Sequence, residues 1–424
     1  MRDQSAFGES SIRWSDLPLE ISGRDRNILR ALAERVRELA YRPIEEEKAK
    51  LWRAHNDLHE TRPLIFCDPE NGWNEILEPL GCEGELAQMW ENRLRKECFW
   101  GDRMKDDRVI SRFFNVYYAF TDTGWGKSET RVRTTENGSY TWIPALESYD
   151  EISALHHPET VVDHAATNRL MDLASDVFDG ILEPRLKGLY WWSLGLTYVM
   201  VNMRGLERLM VDFYDHPGEV HSMMAFLRDG FLKKIDYLES NDLFTLNNDE
   251  TYVGSGGFGY TDELPGQGFD GRVKAKDLWG FVESQETVSL SPAMFGEFIF
   301  PYQLPLMERF GLTCYGCCEP LHTRWHIIKE AKNIRRVSVS PWADIGSMAE
   351  MLGPDYIFSY KPNPAELAVK HPDEKAIRKN LREVIRAAKG CRVEIIMKDN
   401  HTLCNNPENI TRWCAIAREE AERG

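Results

Sequence analysis

The pattern of hydrophobic and polar positions along this chain changes character near residue 60. From Arg26 to His59 (RNILRALAERVRELAYRPIEEEKAKLWRAHNDLH) apolar residues recur at helical spacing among many charges, which predicts two helices packed outside a core. Such a pair suits an N-terminal cap or a dimerisation element. Beyond it, short apolar runs alternate with amphipathic stretches. The runs are LIFCD at Leu64 to Asp68, GLYWWSLGL from Gly188, DLFTL from Asp242, LWGFV from Leu278, LTCYG from Leu312, RRVSVS from Arg335, YIFSY from Tyr356 and RVEIIM from Arg392. Segments such as PAMFGEFIFPYQLPLMERF and EKAIRKNLREVIRAAKG lie between them. Repeated strand-helix alternation predicts a parallel sheet in an α/β fold. Eight candidate strands favour a closed (β/α)8 TIM-type barrel with an N-terminal helical extension over an open sheet, which the same alternation also allows; residues 1–110 would form the extension and the start of the barrel, residues 111–424 the barrel proper. Chemistry in such a barrel belongs at the C-terminal strand ends.

Length and composition fit this picture. The chain has 424 residues, 42% of them hydrophobic and 28% charged, enough to bury a large core. Sixty-eight acidic against 52 basic residues give a net charge of -16, which repels phosphate backbones and anionic lipid and argues against nucleic acid as a partner. The opening MRDQSAFGESSIRWSDL has no apolar stretch of a signal peptide and no segment is apolar enough to span a membrane, so a cytoplasmic protein is expected. With nine cysteines and no signal peptide, reduced thiols or metal ligands are a better reading than disulfides. Cys314, Cys391 and Cys414 read as small buried hydrophobes.

The sharpest cluster is Cys314-Tyr-Gly-Cys317-Cys318-Glu319-Pro-Leu-His322, where the strand LTCYG stops. Zinc favours thiolate, imidazole and carboxylate ligands, and a catalytic zinc keeps one position open. Neighbouring residues point in different directions, so a further ligand must come from elsewhere. The source is Lys398-Asp399-Asn400-His401-Thr-Leu-Cys404, directly after RVEIIM and on the same expected face. A site joining Cys317 to His401 or Cys404, with Glu319, Cys318 or His322 as a further ligand, is the reading of these two segments. Asn247-Asn248-Asp249-Glu250-Thr-Tyr252 and Glu283-Ser-Gln285-Glu286 also follow strands; their carboxylates can position a substrate, complete a metal shell, move a proton or merely cap a helix. Gly254-Ser-Gly-Gly257-Phe-Gly259 lacks the Lys-Ser/Thr of a phosphate loop and reads as a mobile loop or lid. Trp191 and Trp192, on a predicted strand, could wall an aromatic pocket.

The stretch SLSPAMFGEFIFPYQLPLMERFGLTCYGC, Ser289 to Cys317, with WGFVESQETVSLSP before it and NNPENITRWCAIARE near the end, resembles the uroporphyrinogen decarboxylase-like superfamily over roughly Glu159 to Glu420. The Arg-Gln-Ala-Gly-Arg type of signature that grips porphyrinogen carboxylates in true decarboxylases is missing. The chain is more similar to the corrinoid-dependent methyltransferases, which carry a thiolate at the strand end occupied here by Cys317 and a further ligand near the last strand. That resemblance implies zinc as cofactor, a corrinoid (cobalamin) carried on a separate partner protein, and a methyl group moved to or from a small methyl ether, amine or thiol. It implies Cys317, Cys318, Glu319, His401 and Cys404 as the candidate metal ligands, with Tyr315 standing where the family's ligating His is expected; Tyr315, Asp249 and Glu283 are the candidate catalytic groups, Asp249 or a Glu serving the competing lyase reading by stabilising protonated intermediates. A homodimer suits the superfamily. The competing readings are a metal-independent decarboxylase acting on a small acidic or porphyrinogen-like substrate, with Arg131 and Arg133 holding carboxylates, and a non-catalytic binding protein on the same scaffold.

Overall fold

The computed structural model describes residues 17–133 and 140–423. The two expected N-terminal helices are present. The first, Gly23–Ala40, is capped by the Ser22 side chain, and Pro43 opens the second, Pro43–Asn56. Leu29, Ala33, Val36 and Leu39 form the buried stripe of the first helix. It packs closely on the helix Glu85–Arg103, where a Cβ on Gly101 would stand 2.6 Å from Leu39. The second helix departs from the expectation of an outer layer. Its last turn enters the core: Trp52, His55 and Asn56 are fully buried, and Trp52 Nε1 donates to the Asp107 carbonyl at 2.8 Å.

Twelve strands are described. In chain order β1 is Leu64–Cys67, β2 Phe113–Tyr117, β3 Phe120–Asp122, β4 Thr130–Arg133, β5 Tyr140–Ile143, β6 Thr160–Val162, β7 Glu183–Lys187, β8 Trp279–Val282, β9 Leu312–Tyr315, β10 Ile334–Val339, β11 Ile357–Tyr360 and β12 Arg392–Met397. The main sheet has six parallel strands in the order β1-β12-β11-β10-β9-β8. Its strands are almost wholly buried, as continuous apolar runs require of a parallel sheet covered on both faces. A second parallel pair joins β2 to β7, and β3–β6 and β4–β5 are antiparallel pairs inserted between them.

Six of the eight predicted runs are strands of the main sheet. GLYWWSLGL is not a strand; the strand is β7, which ends just before it. DLFTL is not one either. Beside β8 the ladder partner is a side chain: the Asn247 amide accepts from Trp279 N and donates to Trp279 O, both at 3.0 Å, while the Thr245 hydroxyl accepts from Gly188 N at 2.8 Å. A closed eight-stranded ring of ladder hydrogen bonds is not among the described pairings.

Because all six strands are parallel, their C-terminal ends share one edge, where Asp68, Glu283, Cys317, Lys361 and Lys398 follow β1, β8, β9, β11 and β12. One interior device braces that sheet. Glu394 of β12 is wholly buried and pairs with Arg336 of β10 at 2.9 Å, with His55 Nε2 3.3 Å away, while the Asn56 side chain accepts from Arg336 at 2.7 Å. The glycine-rich segment is part of the same interior, not a mobile lid. Residues 253–260 are buried, and the Cβ positions of Gly256 and Gly257 abut Ile396 and Arg336. No helix among the described residues is long and apolar enough to cross a membrane.

Candidate functional site

The site starts at the end of β9. Gly316 has φ +90°, and a Cβ there would meet Leu321 at 2.6 Å, so the strand can turn sharply only at glycine. The turn delivers Cys317 into the interior at 3% exposure. Its backbone is held from both sides, Cys317 N donating to Glu319 Oε2 at 2.8 Å and the Ser338 hydroxyl donating to Cys317 O at 2.7 Å.

Three groups surround the Cys317 sulfur. Ser255 Oγ lies at 3.1 Å, Lys398 Nζ at 3.5 Å and Cys318 Sγ at 3.7 Å. The hydrogen bond from Cys318 and the Lys398 ammonium outweigh burial and lower the Cys317 thiol to about 7, whereas Cys318 is pushed up by that same bond and by burial. Cys317 is therefore the thiol that ionises first. Lys398 is buried, donates to Ser255 Oγ at 3.1 Å and lies 3.5 Å from Asp399 Oδ1; burial disfavours its charge, but Cys317, Tyr252, Asp399 and Glu70 together keep it protonated.

The expected ligands separate into four groups. Cys317 and Cys318 come together, and Cys318 approaches Asp399 Oδ2 at 3.6 Å. Glu319 is buried beside them, but its oxygens accept from Ser284 N and Cys317 N, so it braces the turn. His401 and Cys404 lie on the exposed loop beyond β12: the His401 ring bonds to the Asn71 amide at 3.1 Å, and Cys404 has a left-handed φ of +57°. Neither has a described contact with Cys317. The His322 ring accepts from Asp344 N at 3.3 Å. Among the described residues no three His, Cys, Asp or Glu side chains are arranged to hold a metal ion. In kind, two adjacent thiols and a carboxylate still suit zinc, and sulfurs 3.7 Å apart match one edge of a tetrahedral shell with Zn–S of about 2.3 Å.

The candidate acid-base groups are dispersed. Tyr315 is fully buried and donates to Gln303 Oε1 at 2.7 Å, beneath the site. Glu283 is equally buried; burial and the neighbouring Glu286 and Glu319 push its carboxyl well above the usual range, which keeps it protonated. Asp249 lies 2.6 Å from Lys187 and 3.1 Å from Arg185; burial raises its carboxyl, but the two cations outweigh it and hold it low. Arg131, offered to a substrate carboxylate by the decarboxylase reading, pairs with Glu129 on the β4–β5 hairpin. The Arg133 backbone lies on the same hairpin, and its side chain is outside the described residues.

A cavity of about 930 Å³ opens beside this edge. Trp73, Trp100, Trp191 and Trp192 line it together with Tyr252, and Lys398 closes it on the Cys317 side. Lys398 is thus shared by the cavity and the thiol. Sequence reasoning missed Lys398, Asp399 and Ser255 as site residues, although all three lie in segments it singled out. Lysine is rarely buried, which is why its role is invisible without the fold. The aromatic pocket is present, but Trp191 and Trp192 reach it from a loop and not from a strand.

No family model matches this chain. No curated protein matches it in sequence either.

Proposed function

We propose that this chain is a uroporphyrinogen decarboxylase-like (β/α)8 barrel enzyme that moves a methyl group between a small methylated substrate and a corrinoid protein, with Cys317 at its centre. The observation that carries the reading is the ammonium-thiol pair of Lys398 and Cys317 at the C-terminal edge of a parallel sheet, with Lys398 also lining an aromatic cavity. Six parallel strands in ring order, with β2–β7 and the bridging side chains of Thr245 and Asn247 spanning the remainder, support the barrel.

Lys398 and Ser255 keep Cys317 available as a thiolate near neutral pH. Burial keeps water from it. Glu283 stores a proton behind the sulfur. Zinc, when bound, supplies a Lewis acid that stabilises thiolate and polarises a leaving group; Cys317 and Cys318 would hold it, with Asp399 the carboxylate beside them.

A metal-independent lyase is the second reading. It is favoured by Lys398 itself, which already supplies a positive charge to the thiolate, and by Lys187 on the cavity wall. Elemental analysis of the protein purified without chelators, wild type beside Cys317→Ser, separates the two. Near-stoichiometric zinc in the wild type, lost in the variant, is expected for the methyltransferase, together with methyl transfer to a cob(I)alamin-loaded corrinoid protein. Metal-free protein in both preparations transfers the assignment to the lyase.

A further inference from the structure

We propose that the cavity is a receptor for an aromatic carboxylate, whose anionic group is bound by Arg93. The identity of the methyl-bearing substrate rests on the functional reading above; the binding itself does not.

Size comes first. A volume of about 930 Å³ lies at the upper end of the roughly 300–1,000 Å³ typical of small-molecule sites, far more than a one-carbon compound occupies. The walls come next. Trp191 and Trp192, both partly exposed, supply flat, apolar surface, which favours a planar ring over a flexible chain, while Trp73 and Trp100 are buried with Lys96 and Arg108 over their rings.

Charge then selects the substituent. Most cations on the wall already have carboxylate partners: Arg108 forks onto Glu97 at 2.6 and 2.7 Å, Lys187 meets Asp249 at 2.6 Å, and Lys398 lies between Asp399 and Cys317. Arg93, on the helix Glu85–Arg103, has no carboxylate partner among the described residues. It stacks over Phe114 at 4.6 Å and Tyr117 at 6.0 Å and donates through Nη1 to the Asn115 carbonyl. A guanidinium has five donors in a planar fork that matches a carboxylate, and a half-buried one held by aromatic faces loses little freedom on binding. The acids on the wall do not cancel this preference. Glu97 and Glu250 are paired with Arg108 and Arg185, and Glu78 is exposed. Asp68 and Glu70 both lie close enough to the Lys398 ammonium to be favoured by it, which sets them apart from Arg93.

The experiment is calorimetric titration of the full chain with 4-methoxybenzoate and with its neutral isostere 4-methoxybenzamide, on wild type and Arg93→Met. The acid is expected to bind the wild type at least ten-fold more tightly than the amide, and to lose at least ten-fold in R93M while the amide changes little. Circular dichroism checks that R93M is folded. Should it not be, the wild type still decides: acid affinity must fall as sodium chloride is raised and amide affinity must not. Equal affinities for acid and amide, undiminished acid binding in folded R93M, or no binding of the acid would each overturn the proposal. Zinc-free, transfer-inactive protein that still binds the acid through Arg93 would remove the methyltransferase reading and leave this one standing.

Discussion

Cys317 shows how strongly a residue's chemistry depends on its neighbours. A thiol at 3% exposure would ordinarily be driven up by burial, as Cys67 and Cys314 are. Cys317 goes the other way because three polar groups face its sulfur. The rate of its alkylation by iodoacetamide should therefore rise with a midpoint near pH 7. In Lys398→Met the ammonium that favours the thiolate is gone, so the midpoint should move upward by a pH unit or more; an unmoved midpoint would show that the lysine does not act on the sulfur. Cys318→Ala, which removes the hydrogen bond from Cys318, should also move the midpoint upward.

At the level of elements, turns and interior side chains decide what the strands can deliver. Gly316→Ala puts a methyl group 2.6 Å from Leu321 on a backbone with φ +90°, so a loss of about 1–3 kcal/mol is expected in chemical denaturation, with Cys317 displaced and its alkylation profile altered. β12 is tied to β10 by the buried Glu394–Arg336 pair, and Glu394→Ala leaves a guanidinium uncompensated in the core. A loss of about 3–5 kcal/mol should follow, read as a lower denaturation midpoint at unchanged slope.

The whole molecule should feel the same network as pH falls. Burial penalises the Glu394 carboxylate, but Arg336, His55 and Lys361 outweigh that penalty and hold it down at about 2, below its ordinary value of 4.5. A carboxyl lowered on folding contributes stability that is complete above its unfolded value and is lost as pH falls from about 4.5 toward 2. Circular dichroism followed across that window should show falling stability, and Glu394→Gln should flatten this part of the curve. A wild-type curve that is flat there would mean the pair is not formed.

The legible part of this protein was its apolar periodicity. Six runs of the right length became the six strands of one parallel sheet, and the segment around Cys317 was correctly placed at a strand end, because continuous apolar runs and glycine turns are properties of local sequence. The failures share a cause. DLFTL did not become a strand because Asn247 offers its own amide to Trp279, and the Gly254–Gly259 loop is buried because Arg336 and Ile396 close on it from distant strands. In the candidate site, sequence alone named the thiols and the stretch from Lys398 to Cys404. Which member of that stretch meets Cys317 depended on the direction in which each side chain leaves β12. Lys398 turns inward, while His401 and Cys404 fall on the exposed loop. Residue type and spacing thus determined which chemistry was present, and tertiary structure decided which groups share it, since burial and partner charges arise only when remote strands are brought side by side.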